Sequence, residues 1–205
     1  MTGNGFDRIA SIYDRLARLV FGNSIKRSQT HFVGKIPLSS EVLILGGGTG
    51  WILPELFRHD SRMKITYIDS SLKMISKARQ HATEISVEFI FGTERDIPLK
   101  RFDVVIMPFF LDIFPTEKLK IVIELILLRL KSGGLWFVSD FVNTAWWHKI
   151  YLWIMYRFFR VICNIEARKL PEWLETLNAH DLDLISTKKF FNGFICSAIY
   201  KKSKS

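Results

Sequence analysis

The sequence has little of what would place it outside the ordinary globular classes. It has two cysteines in 205 residues, Cys163 and Cys196, far apart and with no histidine at ligand spacing. That indicates no disulfide framework and no zinc site, and makes a reducing cytoplasm the expected compartment. The start, Met1-Thr-Gly-Asn-Gly-Phe-Asp-Arg8, lacks a basic stretch followed by an apolar core, so no secretory signal is expected. No charge-free apolar run is long enough to span a bilayer. Low-complexity tracts, internal repeats and interdomain linkers are missing too, and the length suits one domain. Acids are in the minority: 20 Asp and Glu stand against 29 Lys and Arg, a formal net charge of +9. This balance implies an acidic partner, with nucleic acid and anionic membrane both eligible.

Against this background one stretch stands out. Glu41-Val-Leu-Ile-Leu45 is an apolar run of strand length that ends in Gly46-Gly-Gly48-Thr49-Gly50, and a helix-competent segment follows. Glycines between a strand and a helix let backbone approach a ligand closely, because no Cβ intervenes. Asp69 follows about twenty residues later, at the end of a second apolar run, which is the spacing of a ribose-binding carboxylate. A nucleoside-bearing cofactor is expected here.

The remaining pattern is alternating. Residues 7–33 read as helical, with Ile9, Ile12, Tyr13, Leu16, Leu19 and Val20 on one face. Strands are expected at 42–45, 63–68, 87–91, 102–107 and 135–139, and helices at 51–59, 72–82 and 118–130. Lys131-Ser-Gly133-Gly134 reads as a helix stop followed by a turn. Such alternation argues for a doubly wound parallel sheet with helices on both faces. At the end, 184–191 and 194–201 are strand-like and flank Asn192-Gly193, a strong hairpin signal because both residues tolerate positive φ. The last strand is therefore expected to run antiparallel to its neighbours.

The glycine loop discriminates among cofactors. Dinucleotide enzymes need a small residue at the end of G-x-G-x-x-G/A so that helix and strand pack closely. Trp51 or Leu53 stands there instead, depending on the frame. A phosphate-binding P-loop needs a lysine, and the loop has none. The G-x-G-T-G pattern that remains is the one used for S-adenosylmethionine, whose amino acid end can be held by backbone groups and a helix N-terminus.

The chain resembles the class I S-adenosylmethionine-dependent methyltransferases, and within them the ubiquinone/menaquinone biosynthesis C-methyltransferase family. The resemblance rests on Phe6-Asp7-Arg8-Ile9-Ala10-x-x-Tyr13-Asp14, Leu45–Gly50, Asp69, Gly92-Thr-Glu-Arg-Asp-Ile-Pro98, Phe102-Asp103, Gly133-Gly134 and the terminal Phe191–Ile199. It implies a Rossmann-like seven-stranded sheet with the last strand antiparallel. It implies that Gly46, Gly48, Thr49 and Gly50 wrap the cofactor. Asp69 would hold the ribose, with Ser70 beside it. Thr93 and Glu94 would lie beside the adenine, Met107 and Pro108 would line the site, and Tyr13 would cover it. Two positions depart from the family: Ile44 replaces an acid, and Thr93 replaces the adenine-site aspartate.

For the chemistry, the enzyme needs to align nucleophile, methyl and sulfur and to exclude water. A phenol or enol-like carbon also needs a base. Asp112 is the candidate, with a surface acid as its alternative. Asp140 suits a turn or N-cap role. His148 reads as interfacial, and His31, His59, His81 and His180 read as solvated.

Residues 145–163 are rich in Trp, Tyr and Phe. On a helix, Lys149, Arg157 and Arg160 share a narrow stripe with Trp153 and Tyr156, and the rest is apolar. This fits either a lid over the acceptor or a helix lying in a membrane interface.

The expected organisation is one methyltransferase domain over 1–205: an N-terminal helical cap at 1–34, a cofactor-binding core at 41–140 and an aromatic lid or membrane-interface helix at 145–165. The expected activity is methyl transfer from S-adenosylmethionine to a small lipophilic or aromatic acceptor, quinone-like or phenolic. The expected location is cytoplasmic, with peripheral contact to anionic membrane. Two alternatives stay open: a catalytically weak cofactor-binding fold acting as a membrane-associated partner, and a nucleic acid methyltransferase. The absence of an N/D-P-P-Y/F motif at Met107-Pro-Phe-Phe110 argues against the latter.

Overall fold

The structure, a computed structural model, describes residues 6–7, 10, 13–82, 86–163, 167 and 169–203; the side chains at 159, 161 and 163 are outside the description. Seven strands form one sheet: β1 (Glu41–Leu45), β2 (Lys64–Asp69), β3 (Val87–Phe91), β4 (Phe102–Pro108), β5 (Leu130–Phe141), β6 (Leu182–Phe190) and β7 (Ile195–Lys202). Their order is β3-β2-β1-β4-β5-β7-β6. The first five strands pair in parallel, and β7 lies antiparallel between β5 and β6. Helices are α1 (Tyr13–Phe21), α2 (Ser24–Thr30), α3 (Leu53–His59), α4 (Leu72–Arg79), α5 (Thr116–Arg129), α6 (Trp146–Cys163) and α7 (Trp173–Asn178).

The period of two along the central strands assigns each side chain to a face. Leu43, Leu45, Val105 and Met107 pack with Leu119, Val122 and Ile123 of α5. The alternate residues Val42, Ile44, Val104 and Ile106 pack with Leu53 and Leu56 of α3 on the opposite side. Covered on both faces, β1 and β4 read as continuous apolar runs, as buried parallel strands do. From β1 the chain winds outward to β2 and β3, then returns to place β4 on the other flank of β1. The reversal opens a crevice beyond the carboxyl ends of β1 and β4, where ligands of such sheets bind.

Several expectations need correction. In the N-terminal region α1 buries Ala17 and Phe21 and leaves Leu19 83% exposed, so the expected apolar face is not the one turned inward; Ile9 and Ile12 lie outside the described residues. The Lys131–Gly134 segment is no free-standing turn. β5 starts at Leu130, directly after α5, and the register steps from Phe102↔Leu130 to Val104↔Leu135, so the glycines sit in a wide bulge. The hairpin loop spans 191–194, and Phe191 joins Asn192 and Gly193 at positive φ. The Phe191 ring packs on Phe21 and Tyr151, a tertiary demand that overrides a tighter Asn-Gly turn. The short α7 was not expected; its Trp173 is buried and donates from Nε1 to the Phe141 carbonyl at 2.7 Å.

Candidate functional site

The glycines of the loop after β1 do different work. A Cβ on Gly46 would meet the Phe110 ring at 2.3 Å, and one on Gly47 the Tyr67 ring at 2.3 Å. Absence of those carbons lets Phe110 pack under the loop and lets the Tyr67 hydroxyl donate to the Gly48 carbonyl at 2.9 Å. Gly50, at φ +82, rests on the Ala78 backbone of α4, 2.9 Å from where its Cβ would stand. Gly48 differs: at φ +61 its Cβ direction meets nothing within 4 Å. That open direction faces a cavity of about 440 Å³, a size that suits a nucleoside-sized ligand.

Asp69 closes one side of the cavity. Its Oδ2 accepts the Gly48 amide at 2.9 Å and its Oδ1 accepts the Ser71 amide at 2.9 Å. Each carboxylate oxygen keeps a further lone pair, so a vicinal diol can donate to both. Burial pushes this carboxyl up to about 6, against the opposing pull of its amide donors.

The N-terminal segment is tied across this edge by two acids. Asp7 accepts from the Ser71 hydroxyl and from the Lys73 amide. Asp14 accepts from the Thr49 hydroxyl at 2.7 Å and pairs with Lys77 at 3.6 Å. These bonds hold Phe6 and Tyr13 over the cavity.

Beyond β3, Thr93 is consumed locally. Its hydroxyl accepts from the Arg95 amide and its own amide donates to Asp96, a reciprocal cap. Glu94 is the carboxylate that remains on the cavity wall for an exocyclic amine. Met74, Phe110 and Phe114 supply apolar surface for a purine. A carboxylate for a diol, a second for an amine, apolar walls and a bare backbone cradle together fit S-adenosylmethionine.

The cavity wall thus includes Tyr13, Gly46, Gly48, Thr49, Asp69, Ser70, Thr93, Glu94 and Pro108 of the expected residues. Gly50 is turned to α4, and Met107 is wholly buried in the sheet core, so neither lines it. Sequence reasoning missed Phe109 as a lining residue. It holds φ +52, rare for an aromatic side chain, right after β4. No sequence signal marks that strain.

A second, apolar groove of about 620 Å³ runs between α1 and α6 and shares Phe6, Tyr13, Phe109 and Ile113 with the first cavity. Asp112 lies on its wall, and it is the one charged side chain lining it among the described residues. Asp112 Oδ1 is buried without a hydrogen-bond partner, and burial pushes this acid up to about 7. Asp140 is fully buried in a turn-holding role, as its position suggested. His148 is likewise fully buried rather than interfacial: its Nδ1 accepts the amides of Thr144 and Ala145 at the start of α6. His59 and His180 are not simply solvated, since each bonds a backbone carbonyl.

α6 presents Trp146 and Trp153 outward, 77% and 67% exposed, with Ile150, Ile154, Lys149, Arg157 and Arg160 around them. Tyr156 is instead buried, its hydroxyl donating to the Asp112 carbonyl at 2.9 Å. Among the described residues no helix is long and apolar enough to cross a membrane.

Comparison with known proteins agrees with this geometry. Residues 42–134 match the family described as "Methyltransferase domain". A phosphatidylethanolamine N-methyltransferase of Cereibacter sphaeroides is 30% identical over 139 residues, 65% of this chain; the chain spans 65% of that relative's length. A chain of the complex between the Haloferax volcanii Trm112 methyltransferase activator and a methyltransferase superposes with a TM-score of 0.75 at 14% identity, covering 99% of this chain and 100% of that one. Magnesium protoporphyrin IX methyltransferase of Synechocystis PCC 6803, solved with bound SAH, superposes at 0.67 with 16% identity, covering 94% and 95%. The chain therefore has the fold of the class I S-adenosylmethionine-dependent methyltransferases, and residues 42–134 within it match the methyltransferase-domain family.

Proposed function

We propose that the protein transfers a methyl group from S-adenosylmethionine to a small lipophilic acceptor, quinone-like or phenolic in its reacting part, collected at an anionic membrane surface. The observation that carries this reading is the apolar groove between α1 and α6, which shares its inner wall with the cofactor cavity. A methyl group at that shared wall has an apolar molecule on its other side, and Phe6, Tyr13 and Phe109 keep water out.

When bound, S-adenosylmethionine supplies a methyl on a positive sulfonium; the C–S bond breaks as the new bond forms, and the electron pair leaves on sulfur. The chain's own residues then have few tasks. Asp69 holds the ribose diol, Glu94 meets the adenine amine and the Gly46–Thr49 backbone cradles the amino acid end. The ionised fraction of Asp112 takes the proton that a phenol or enol loses, and an acid near 7 keeps such a fraction available at neutral pH. The resemblance to the quinone C-methyltransferases and the phospholipid-methylating relative in Cereibacter both favour a greasy acceptor. The outward Trp146 and Trp153, flanked by Lys149, Arg157 and Arg160, suit an interface with anionic headgroups.

The decisive experiment is transfer of a radiolabelled methyl from S-adenosylmethionine into a lipid extract of the source cells, with the labelled product identified by mass spectrometry. Label in an apolar ring compound supports the reading. Label confined to added RNA or protein, or no binding of S-adenosylmethionine by calorimetry, overturns it.

A further inference from the structure

Asp140 reaches neither cavity, yet it is the residue around which the inner end of the groove is organised. It sits on β5 with no exposed surface. Its Oδ2 accepts the amides of Leu111 at 2.9 Å and Asp112 at 3.2 Å, and its Oδ1 accepts the amide of Phe141 at 2.8 Å. These bonds fix the turn that carries Asp112 and join it to the strand behind the groove. From the other side, Tyr156 of α6 bonds the carbonyl of the same Asp112. The backbone of Asp112 is thus held at its amide by Asp140 and at its carbonyl by the aromatic helix, while its carboxyl is left on the groove wall with Oδ1 unpartnered.

We propose that Asp140 is the positioning residue for Asp112, and that the two buried acids share one proton, carried by Asp112. The proposal rests on the reading of the groove as the acceptor site. Three amide donors favour the ionised form of Asp140. No such donor reaches Asp112 Oδ1 among the described residues, so the shared proton falls to Asp112. Burial pushes both acids upward and the charge on one raises the other, so a proton stays on the pair until about pH 7. The titratable groups facing the pair are Tyr156 from α6 and, along the groove, Tyr13 and Tyr151; among the described residues no lysine or arginine lines it. Burial raises Tyr156 far above its ordinary range, so its hydroxyl remains a donor to the Asp112 carbonyl throughout. Asp140 thereby sets both where the Asp112 carboxyl points and when it gives up its proton.

The test reads protonation directly and needs no acceptor. Protein labelled with ¹³C at aspartate carboxyls is titrated by NMR, and the Asp112 signal is identified by its loss in Asp112→Asn. In the intact protein that carboxyl is expected to titrate near 7, and the amide signals of Leu111 and Phe141 to shift with the same midpoint. In Asp140→Asn, the Asp112 midpoint is expected to fall by about one pH unit or more, since the neighbouring negative charge is gone. Flat Leu111 and Phe141 amides in the intact protein overturn the proposal, and they are measurable even if Asp140→Asn does not fold. An unmoved Asp112 midpoint in folded Asp140→Asn overturns it as well. Calorimetry with S-adenosylhomocysteine on the intact protein tests the methyltransferase reading separately, so the two failures are distinguishable.

Discussion

The amide of Gly48 donates to the Asp69 carboxylate at 2.9 Å, across 21 positions of sequence. This bond joins the loop glycine whose side-chain direction is open to the acid that faces the same cavity. The loop and the end of β2 are therefore set relative to each other before any ligand arrives. A diol brought there would meet a carboxylate already oriented, at little further ordering cost.

Asp69→Asn is expected to weaken S-adenosylhomocysteine binding by roughly 10- to 100-fold, the size of losing charge-assisted hydrogen bonds worth about 1.5–3 kcal/mol. Binding to the unaltered protein should also weaken as pH falls through about 6, the value to which burial raises this acid. The diol needs the ionised form as acceptor, so each pH unit below that value costs up to about tenfold. Isothermal titration at pH 7.5, 6 and 5 checks both statements, and the substituted protein should show no such pH step.

Alanine at Gly48 and at Gly50 should separate ligand approach from folding. Gly48→Ala adds a carbon to open space at φ +61, costing roughly 1–2 kcal/mol of stability for the left-handed backbone and lowering cofactor affinity. Gly50→Ala carries the same conformational cost and also drives a Cβ to 2.9 Å from the Ala78 backbone, adding about 1–3 kcal/mol. Urea unfolding should place Gly50→Ala clearly below Gly48→Ala.

Asp112 should tax stability at high pH. Its carboxyl keeps its proton up to about 7 in the folded chain, whereas the unfolded chain releases it near the ordinary aspartate value. Folding thus gains from low pH, and that gain disappears as pH rises from about 4 to 7. Asp112→Asn removes the dependence. Relative to the unaltered protein, it should be more stable at pH 8 than at pH 5 by on the order of 1–2 kcal/mol, read as a Tm difference of about 2–4 °C per kcal/mol for a chain of this size.

Trp146→Ser with Trp153→Ser should abolish most binding to vesicles of anionic phospholipid while leaving S-adenosylhomocysteine affinity unchanged. Both indoles stand outward on α6 and touch neither cavity wall. Co-sedimentation with anionic and with zwitterionic vesicles measures it, and equal pelleting of the two proteins would count against the interface.

Local signals carried the parallel core. The apolar runs at 42–45, 63–68, 87–91 and 102–107 each became a strand with ends displaced by no more than a residue; for β1, β2 and β4 burial on both faces leaves such runs few alternatives, whereas β3 is the partly exposed edge strand. The glycine loop and Asp69 were legible for the same reason: their chemistry is written in adjacent or regularly spaced residues. The groove was not. The Phe109–Asp112 turn, Asp140 and Tyr156 come from separate segments, and what joins them is a positive φ, a buried carboxylate and a bond from α6 to the turn that leave no periodic trace. The N-terminal face was misread because α1 packs on Phe141 and Phe194 rather than presenting its most apolar stripe inward.

By itself, the sequence determined a doubly wound sheet, an antiparallel last strand and a glycine-edged crevice beside an acid, since these follow from periodicity, glycine freedom and a fixed spacing between backbone and acid. Only the tertiary structure decided that Gly50 turns from the cavity to α4, that Thr93 is consumed by its own turn and that two acids 28 residues apart meet beneath a greasy groove. Those outcomes depend on which surfaces come to lie against each other when helices from both ends of the chain close over the sheet, and burial then sets the charge that each group carries.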